Sequence, residues 1–122
     1  MSSPFSLIRT KLPLILAAYP LAWLSLLYLF VLRARLYLGH WPQPYHPDPK
    51  DLGFTVHHQA VWFGLMALPV VALATVALAL VGRRVAVDRR IWPALTFLVA
   101  SIVLVIVVAR LDPGGFFNWF AD

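Results

Sequence analysis

The sequence predicts an all-α integral membrane protein that forms a single domain, residues 1–122, with three transmembrane helices. Of its 122 residues, 61% are hydrophobic and only 12% are charged, and the mean hydropathy is +0.81. Soluble domains carry about a quarter charged residues, and a chain of this length cannot bury so much apolar surface in a core of its own. The composition therefore predicts that lipid surrounds most of the chain.

The first span is predicted at about residues 12–38. Leu12–Leu32 carries no charged residue, and at about 1.5 Å per residue it is long enough, as a helix, to cross a hydrocarbon core of about 30 Å. Arg33 and Arg35 follow it where a secretory signal would carry small residues before its cleavage site. The segment is therefore predicted to be an uncleaved anchor. Gly39 is predicted to end the helix, because glycine readily adopts a positive φ.

The first connector, predicted at residues 39–55, is rich in proline and histidine. Four prolines lie between Pro42 and Pro49, and they exclude a regular helix and favour an extended path. Trp41 and Tyr45 in the same segment are typical of residues at the level of lipid headgroups.

Two further spans follow, at about residues 56–82 and 91–110, joined by a second connector at 83–90. Neither span contains a charged residue near its middle. The tail, residues 111–122, begins with the turn signal Asp112–Gly115 and continues with aromatic residues. It predicts a short interfacial segment lying in the headgroup plane.

The basic residues predict the orientation of the chain. Six of them lie at the N-terminus and in the second connector, and four lie on the opposite side. The positive-inside rule therefore predicts a multi-pass membrane protein with a cytoplasmic N-terminus and a C-terminus on the opposite side of the membrane. The net charge of +5 does not indicate nucleic-acid binding, because the basic residues flank the apolar runs, as interfacial anchors do.

The histidines are the candidate cofactor-binding residues. All four lie on one side of the membrane, and imidazole ligates haem, metals and chlorophyll-type pigments. Their spacing matches no known metal-ligand pattern, so ordinary polar residues at the interface are the competing interpretation, and no metal site is predicted. The four residues are His40, His46, His57 and His58.

Three features predict contacts with other membrane subunits. Aromatic residues recur along one face of the first span, where Pro20 leaves the carbonyl of Leu16 as one candidate acceptor for their polar groups. The second span contains a small-x-x-x-small pair, and the tail is aromatic. Packing within the three-helix bundle is the competing interpretation. The candidate residues are Tyr19, Trp23, Phe30, Ala60, Gly64, Phe116, Phe117, Trp119 and Phe120.

The residues exclude several classes of function. There is no cysteine, hence no disulfide framework and no thiolate site. No ionisable side chain occupies the middle of a span, which argues against ion pumps and proton-coupled carriers. No catalytic residue is predicted and the chain is not expected to be an enzyme, because only Asp48, Asp51 and the histidines are candidates for acid–base chemistry.

We therefore expect a non-catalytic accessory subunit of a larger membrane complex, of the respiratory or photosynthetic kind. The lipid bilayer and other membrane subunits are its expected partners. Two alternatives stay open: a subunit that contacts haem, metal or pigment through the connector histidines, and a small transporter or channel component. The aromatic face of the first span is the alternative contact surface for a polyene such as a carotenoid, or for a porphyrin-like ligand.

Two stretches, Leu38 through Lys50 and the tail from Asp112 to Phe120, resemble segments of small uncharacterised bacterial multi-spanning membrane proteins. The resemblance would cover most of the chain. It implies a bacterial origin, and with it a location in a bacterial inner membrane with the C-terminus in the periplasm or outside the cell. It brings no assigned function.

Overall fold

A computed structural model describes the backbone of residues 4–85 and 91–122 and the side chains of residues 11–81 and 92–122. It consists of five α-helices and one short 3-10 helix within these ranges. The α-helices are α1 (Pro4–Ala17), α2 (Tyr19–Leu38), α3 (Thr55–Val85), α4 (Ile91–Leu111) and α5 (Phe116–Ala121), and the 3-10 helix is Pro49–Leu52. The predicted second connector, with its arginines, and the basic residue Arg9 lie outside the described side chains.

The structure confirms the all-helical fold class and the three long apolar helices. Three segments are long and apolar enough to cross a membrane: Lys11–Leu38, Thr55–Val81 and Trp92–Leu111. Their bounds agree with the predicted spans to within a few residues. No strand occurs within residues 4–85 and 91–122.

The first span is built from α1 and α2, which are separated only at Ala18. Ala18 keeps helical dihedral angles, with φ −79° and ψ −10°. The interruption coincides with Pro20, which has no N–H to donate to the carbonyl of Leu16. At its other end the span stops at Gly39, whose φ of +76° places it in the left-handed region and whose N–H donates to the Arg35 carbonyl at 2.9 Å. This is the expected glycine termination.

Each of the three spans packs against the other two. The buried row of α2 consists of Trp23, Leu27, Phe30 and Ala34, whose spacing of three and four residues keeps them on one helix face. The two buried hydroxyl side chains of the bundle are hydrogen bonded to their own helices. The Thr75 hydroxyl donates to the Val71 carbonyl at 2.8 Å, and the Ser101 hydroxyl donates to the Phe97 carbonyl at 2.7 Å.

One end of the bundle brings the first connector and the tail together. Helix α2 ends there, α3 begins there and α4 ends there, so residues 39–54 and 112–122 share one end. We refer to residues 39–54 as the connector and to residues 112–122 as the tail. All four histidines and most of the aromatic residues singled out in the sequence lie at or near this end.

Candidate functional site

The tail forms a short helix, α5, that folds back over the end of the bundle. Gly114 and Gly115 have φ values of +85° and +70°, which favour glycine because it has no Cβ. The Asp112 carboxylate then accepts the N–H of Phe117 at 2.8 Å and that of Asn118 at 3.1 Å. These bonds satisfy amide groups of the first turn of α5 that have no partner inside the helix. The reversal directs α5 toward the connector.

Trp119 joins the tail to the connector. Its side chain is 0% exposed, and its indole N–H donates to the Pro47 carbonyl at 2.7 Å. At the surface, the Lys50 ammonium donates to the backbone carbonyl of Asp122 at 3.4 Å. A part-buried and an exposed hydrogen bond, each between residues 72 positions apart in the chain, thus hold the tail to the connector.

Phe30 lies at the centre of an aromatic cluster formed by α2, the start of α3 and α5. Its ring is 0% exposed, and its centroid lies 5.1 Å from that of His57 and 5.2 Å from that of Phe120. Both of these pairs are edge-to-face, the arrangement that aromatic quadrupoles prefer. We define the aromatic cluster as Phe30, Phe54, His57, His58, Trp62, Trp119 and Phe120.

Of the four candidate histidines, the structure brings only His57 and His58 into this cluster. His57 Nε2 lies 3.0 Å from the Leu26 carbonyl, and because a carbonyl can only accept, this nitrogen carries the proton. His58 Nε2 accepts the Trp62 indole N–H at 3.3 Å, and its ring lies 4.9 Å from Phe120. Both Nε2 atoms therefore take part in hydrogen bonds within the chain.

The other two histidines lie away from the cluster. His40 and His46 are exposed on the connector. His40 Nδ1 is 3.0 Å from the carbonyl of its neighbour Trp41, and His46 belongs to a tight turn closed by backbone bonds with Gln43. Among the side chains of residues 11–81 and 92–122, no group of three His, Asp or Glu residues is arranged to hold a metal ion.

Tyr19 and Trp23 connect α2 to α3 deep in the bundle. The Trp23 indole N–H donates to the Val61 carbonyl at 2.8 Å, and the Tyr19 hydroxyl donates to the Gly64 carbonyl at 3.0 Å. The carbonyl of Leu16, which the sequence offered as one candidate acceptor, receives neither bond. A Cβ at Gly64 would lie 2.7 Å from Trp23 Cδ1, so the absence of a side chain lets the indole approach the α3 backbone.

Most of the residues predicted to contact partners pack inside this chain instead. Trp23, Phe30, Trp119 and Phe120 are buried by contacts within the chain, which is what the competing interpretation of packing within the bundle describes. Phe116 and Phe117 are half-buried: Phe116 lies against Trp41 and Phe117 lies against Trp23. Of the small-residue pair, Gly64 faces Trp23 and Ala60 is exposed.

Sequence reasoning missed two features of this end of the molecule. One is the role of Asp112 as the acceptor for α5, which the Asp-Pro-Gly-Gly turn followed by an aromatic run could have indicated. The other is the stacking of Arg33 on Phe54 and of Arg35 on Trp41. The positions of the arginines indicated the interface, but the ring that each one meets depends on how the connector folds.

No family model, no curated protein and no solved structure matches this chain. Its function is therefore inferred from the chemistry of the described side chains. The aromatic cluster buries large rings and pairs their polar atoms within the chain. Such an arrangement fixes the connector and the tail to each other.

Proposed function

We propose that this chain is a non-catalytic accessory subunit of a larger bacterial membrane complex, inserted in the inner membrane with its N-terminus in the cytoplasm. The observation that carries the proposal is the outward face of α3. This face combines large apolar side chains with regularly spaced small ones, as helix–helix contacts in membranes do. Small helical subunits of this kind are common in respiratory and photosynthetic assemblies, and this part of the proposal rests on that analogy of architecture.

The large side chains of this face follow a heptad spacing. Phe63, Met66, Val70 and Leu73 are separated alternately by three and four residues, and their exposed fractions lie between 64% and 73%. Val56 and Leu80 extend the same row toward the two ends of the helix. Alternating steps of three and four residues average 3.5 residues. This spacing keeps the row in contact with one neighbouring helix when the two helices pack with a left-handed crossing.

Small residues accompany this row at intervals of seven. Ala60 and Ala74 are exposed and Ala67 is half-buried. In lipid there is no hydrophobic driving force between helices, so association depends on close van der Waals packing, which small side chains permit. The sequence-predicted Ala60 belongs to this outward face. Gly64, its partner in the small-residue pair, serves the internal contact with Trp23.

The cluster histidines support an architectural role over a cofactor-binding one. A ligand at His58 Nε2 would have to replace the hydrogen bond from Trp62. A ligand at His57 Nε2 would have to remove the proton donated to the Leu26 carbonyl. Each exchange would leave a partner group without its hydrogen bond in an apolar environment, which costs free energy.

Site-specific photo-crosslinking in a native bacterial host tests the proposal. A photoreactive residue at Met66 or Leu73 is expected to give one discrete adduct with a different membrane protein, identified by mass spectrometry. The same residue at Val103 or Val107, exposed apolar positions on α4, is the matched control and is expected to give adducts mainly with lipid.

Three outcomes would overturn the proposal: no protein adduct from α3, adducts of equal yield from both helices, or adducts between copies of this chain alone. A second arm uses Ala67→Leu with Ala74→Leu, which widens the helix face without adding charge. This double variant is expected to lose co-purification of the crosslinked protein in mild detergent while the fold is retained.

A further inference from the structure

Two arginines at the connector end of α2 lie flat against aromatic rings. The Arg33 guanidinium carbon is 4.0 Å from the centroid of Phe54, and that of Arg35 is 4.1 Å from the centroid of Trp41. Both arginines are exposed. Because they are two positions apart on a helix, they leave α2 on nearly opposite sides at almost the same height along its axis.

The stacked geometry prepares each guanidinium to bind an anion. The five N–H donors of arginine lie in the plane of the group, so a ring that covers one face leaves the donors at the edge free. The contact also restricts the side chain before any ligand arrives, which lowers the entropy lost on binding. A planar fork of two donors matches two oxygens of a phosphate group.

The residues that flank the two arginines on α2 are those expected near the phosphate level of a bilayer. On the membrane side of Arg33 lie the exposed apolar residues Leu29 and Leu32. On the other side lies Tyr37, 69% exposed and edge-to-face with Phe54 at 5.6 Å. Aromatic residues that follow an apolar row mark the boundary between hydrocarbon and headgroups.

We propose that Arg33 and Arg35 each bind the phosphate of an anionic phospholipid in the leaflet on the connector side. A zwitterionic headgroup brings its own cation, which competes for the phosphate, whereas phosphatidylglycerol offers a phosphodiester without one. Two carboxylates at this end are engaged within the chain: Asp112 accepts amides of α5, and Asp48 accepts the Lys50 backbone N–H at 2.8 Å. Asp51 and Asp122 remain exposed at the same end.

Lipid retention measured by native mass spectrometry tests the proposal on the full chain. The protein is reconstituted in nanodiscs that contain equal parts phosphatidylglycerol and phosphatidylcholine, and is then released in mild detergent. The double variant Arg33→Gln with Arg35→Gln is expected to retain phosphatidylglycerol about tenfold less than the wild type, as the loss of charge-assisted bidentate bonds implies. Arg110→Gln is the matched control, since Arg110 is an exposed arginine in the last turn of α4 at the same end, and it is expected to retain the lipid unchanged.

Further arms distinguish the chemistry. The double variant Arg33→Lys with Arg35→Lys keeps both charges and removes the planar pair of donors, so the retention of phosphatidylglycerol is expected to fall several-fold. This variant tests the proposal independently of whether the glutamine variant folds. Soluble glycerol 3-phosphate, added to nanodiscs of phosphatidylcholine alone, is expected not to raise the thermal unfolding temperature.

Four results would overturn the proposal. The first is equal retention of phosphatidylglycerol by the wild type and by the variants at Arg33 and Arg35, and the second is a loss of this lipid in Arg110→Gln as large as in the glutamine double variant. The third is full retention of phosphatidylglycerol in the lysine double variant. The fourth is a rise in the thermal unfolding temperature with glycerol 3-phosphate as large as the rise with phosphatidylglycerol.

Discussion

Trp119 shows how much of the tail's attachment depends on one side chain. Trp119→Phe removes the indole N–H and leaves the Pro47 carbonyl without its donor, so we expect the free energy of unfolding to fall by about 1–2 kcal/mol. Trp119→Ala also empties a fully enclosed volume, and a loss of about 3–5 kcal/mol is expected. Equilibrium unfolding in a fixed mixed micelle measures both values.

The matched control for Trp119 is Trp92→Phe. Trp92 is 64% exposed on α4, and its replacement is expected to change the free energy of unfolding by less than about 0.5 kcal/mol. Equal values for Trp119→Phe and Trp92→Phe would contradict the role assigned to the bond with Pro47.

Gly64 supplies the second prediction for a single residue. In Gly64→Ala the new Cβ would meet Trp23 Cδ1 at 2.7 Å, and the indole cannot retreat without stretching its bond to the Val61 carbonyl. We expect destabilisation of about 1–3 kcal/mol, the usual range for overpacking.

Ala60→Leu provides the comparison for Gly64→Ala. It adds a larger side chain one turn earlier on α3, at an exposed position, and should be nearly neutral in the isolated chain. The same unfolding titration checks both substitutions, and a neutral Gly64→Ala would refute the close approach of Trp23.

Among the elements, α5 depends on Asp112 for its direction. Asp112→Ala removes both acceptors for the Phe117 and Asn118 amides and places alanine at a φ of +37°, so we expect α5 to detach with a loss of about 1–2 kcal/mol. Asp112→Asn retains one acceptor and tolerates this conformation better, so its effect should be intermediate.

Hydrogen–deuterium exchange of residues 116–121 reports the detachment of α5. Exchange in the tail and near Pro47 should rise in the order wild type, Asp112→Asn, Asp112→Ala, while the interior of α4 stays protected. Asp122→Ala is the control, because the exposed Asp122 contributes only its backbone carbonyl to the described contacts. If hydrogen–deuterium exchange in Asp112→Ala equals that of the wild type, the packing of the aromatic side chains alone holds α5, and the role assigned to the Asp112 hydrogen bonds is wrong.

The elements also show what can be predicted from sequence. The three spans follow from uncharged apolar runs, because in lipid a backbone must satisfy its own hydrogen bonds and so becomes helical. The end of α2 at Gly39 follows from one residue's freedom to adopt a positive φ. The hydrogen-bond acceptors of Trp23 and Trp119 cannot be predicted from the sequence, because each indole donates to a backbone carbonyl that comes near only in the packed bundle. Periodicity placed Trp23 on one face of the first span, and the aromatic composition of the tail singled out Trp119. Neither pattern distinguishes a contact inside the chain from one with a partner.

At the scale of the whole molecule, the fold requires the connector and the tail to lie on one side of any membrane that the three spans cross. The chain has no cysteine, so single-cysteine variants report this side directly. Gln43→Cys and Asn118→Cys, both at exposed positions, are expected to react with a membrane-impermeant maleimide in intact bacterial spheroplasts. Ser3→Cys and Ala86→Cys, at the N-terminus and in the predicted second connector, should react only after the membrane is disrupted.

The outcomes of this labelling distinguish the fold from its orientation. Six basic residues at the N-terminus and in the second connector, against four on the other side, favour a cytoplasmic N-terminus under the positive-inside rule. The reverse pattern, with only Ser3→Cys and Ala86→Cys labelled in intact spheroplasts, would contradict that orientation and leave the bundle intact. Different labelling of Gln43→Cys and Asn118→Cys would refute the fold itself, because the Trp119 indole cannot reach the Pro47 carbonyl across a bilayer.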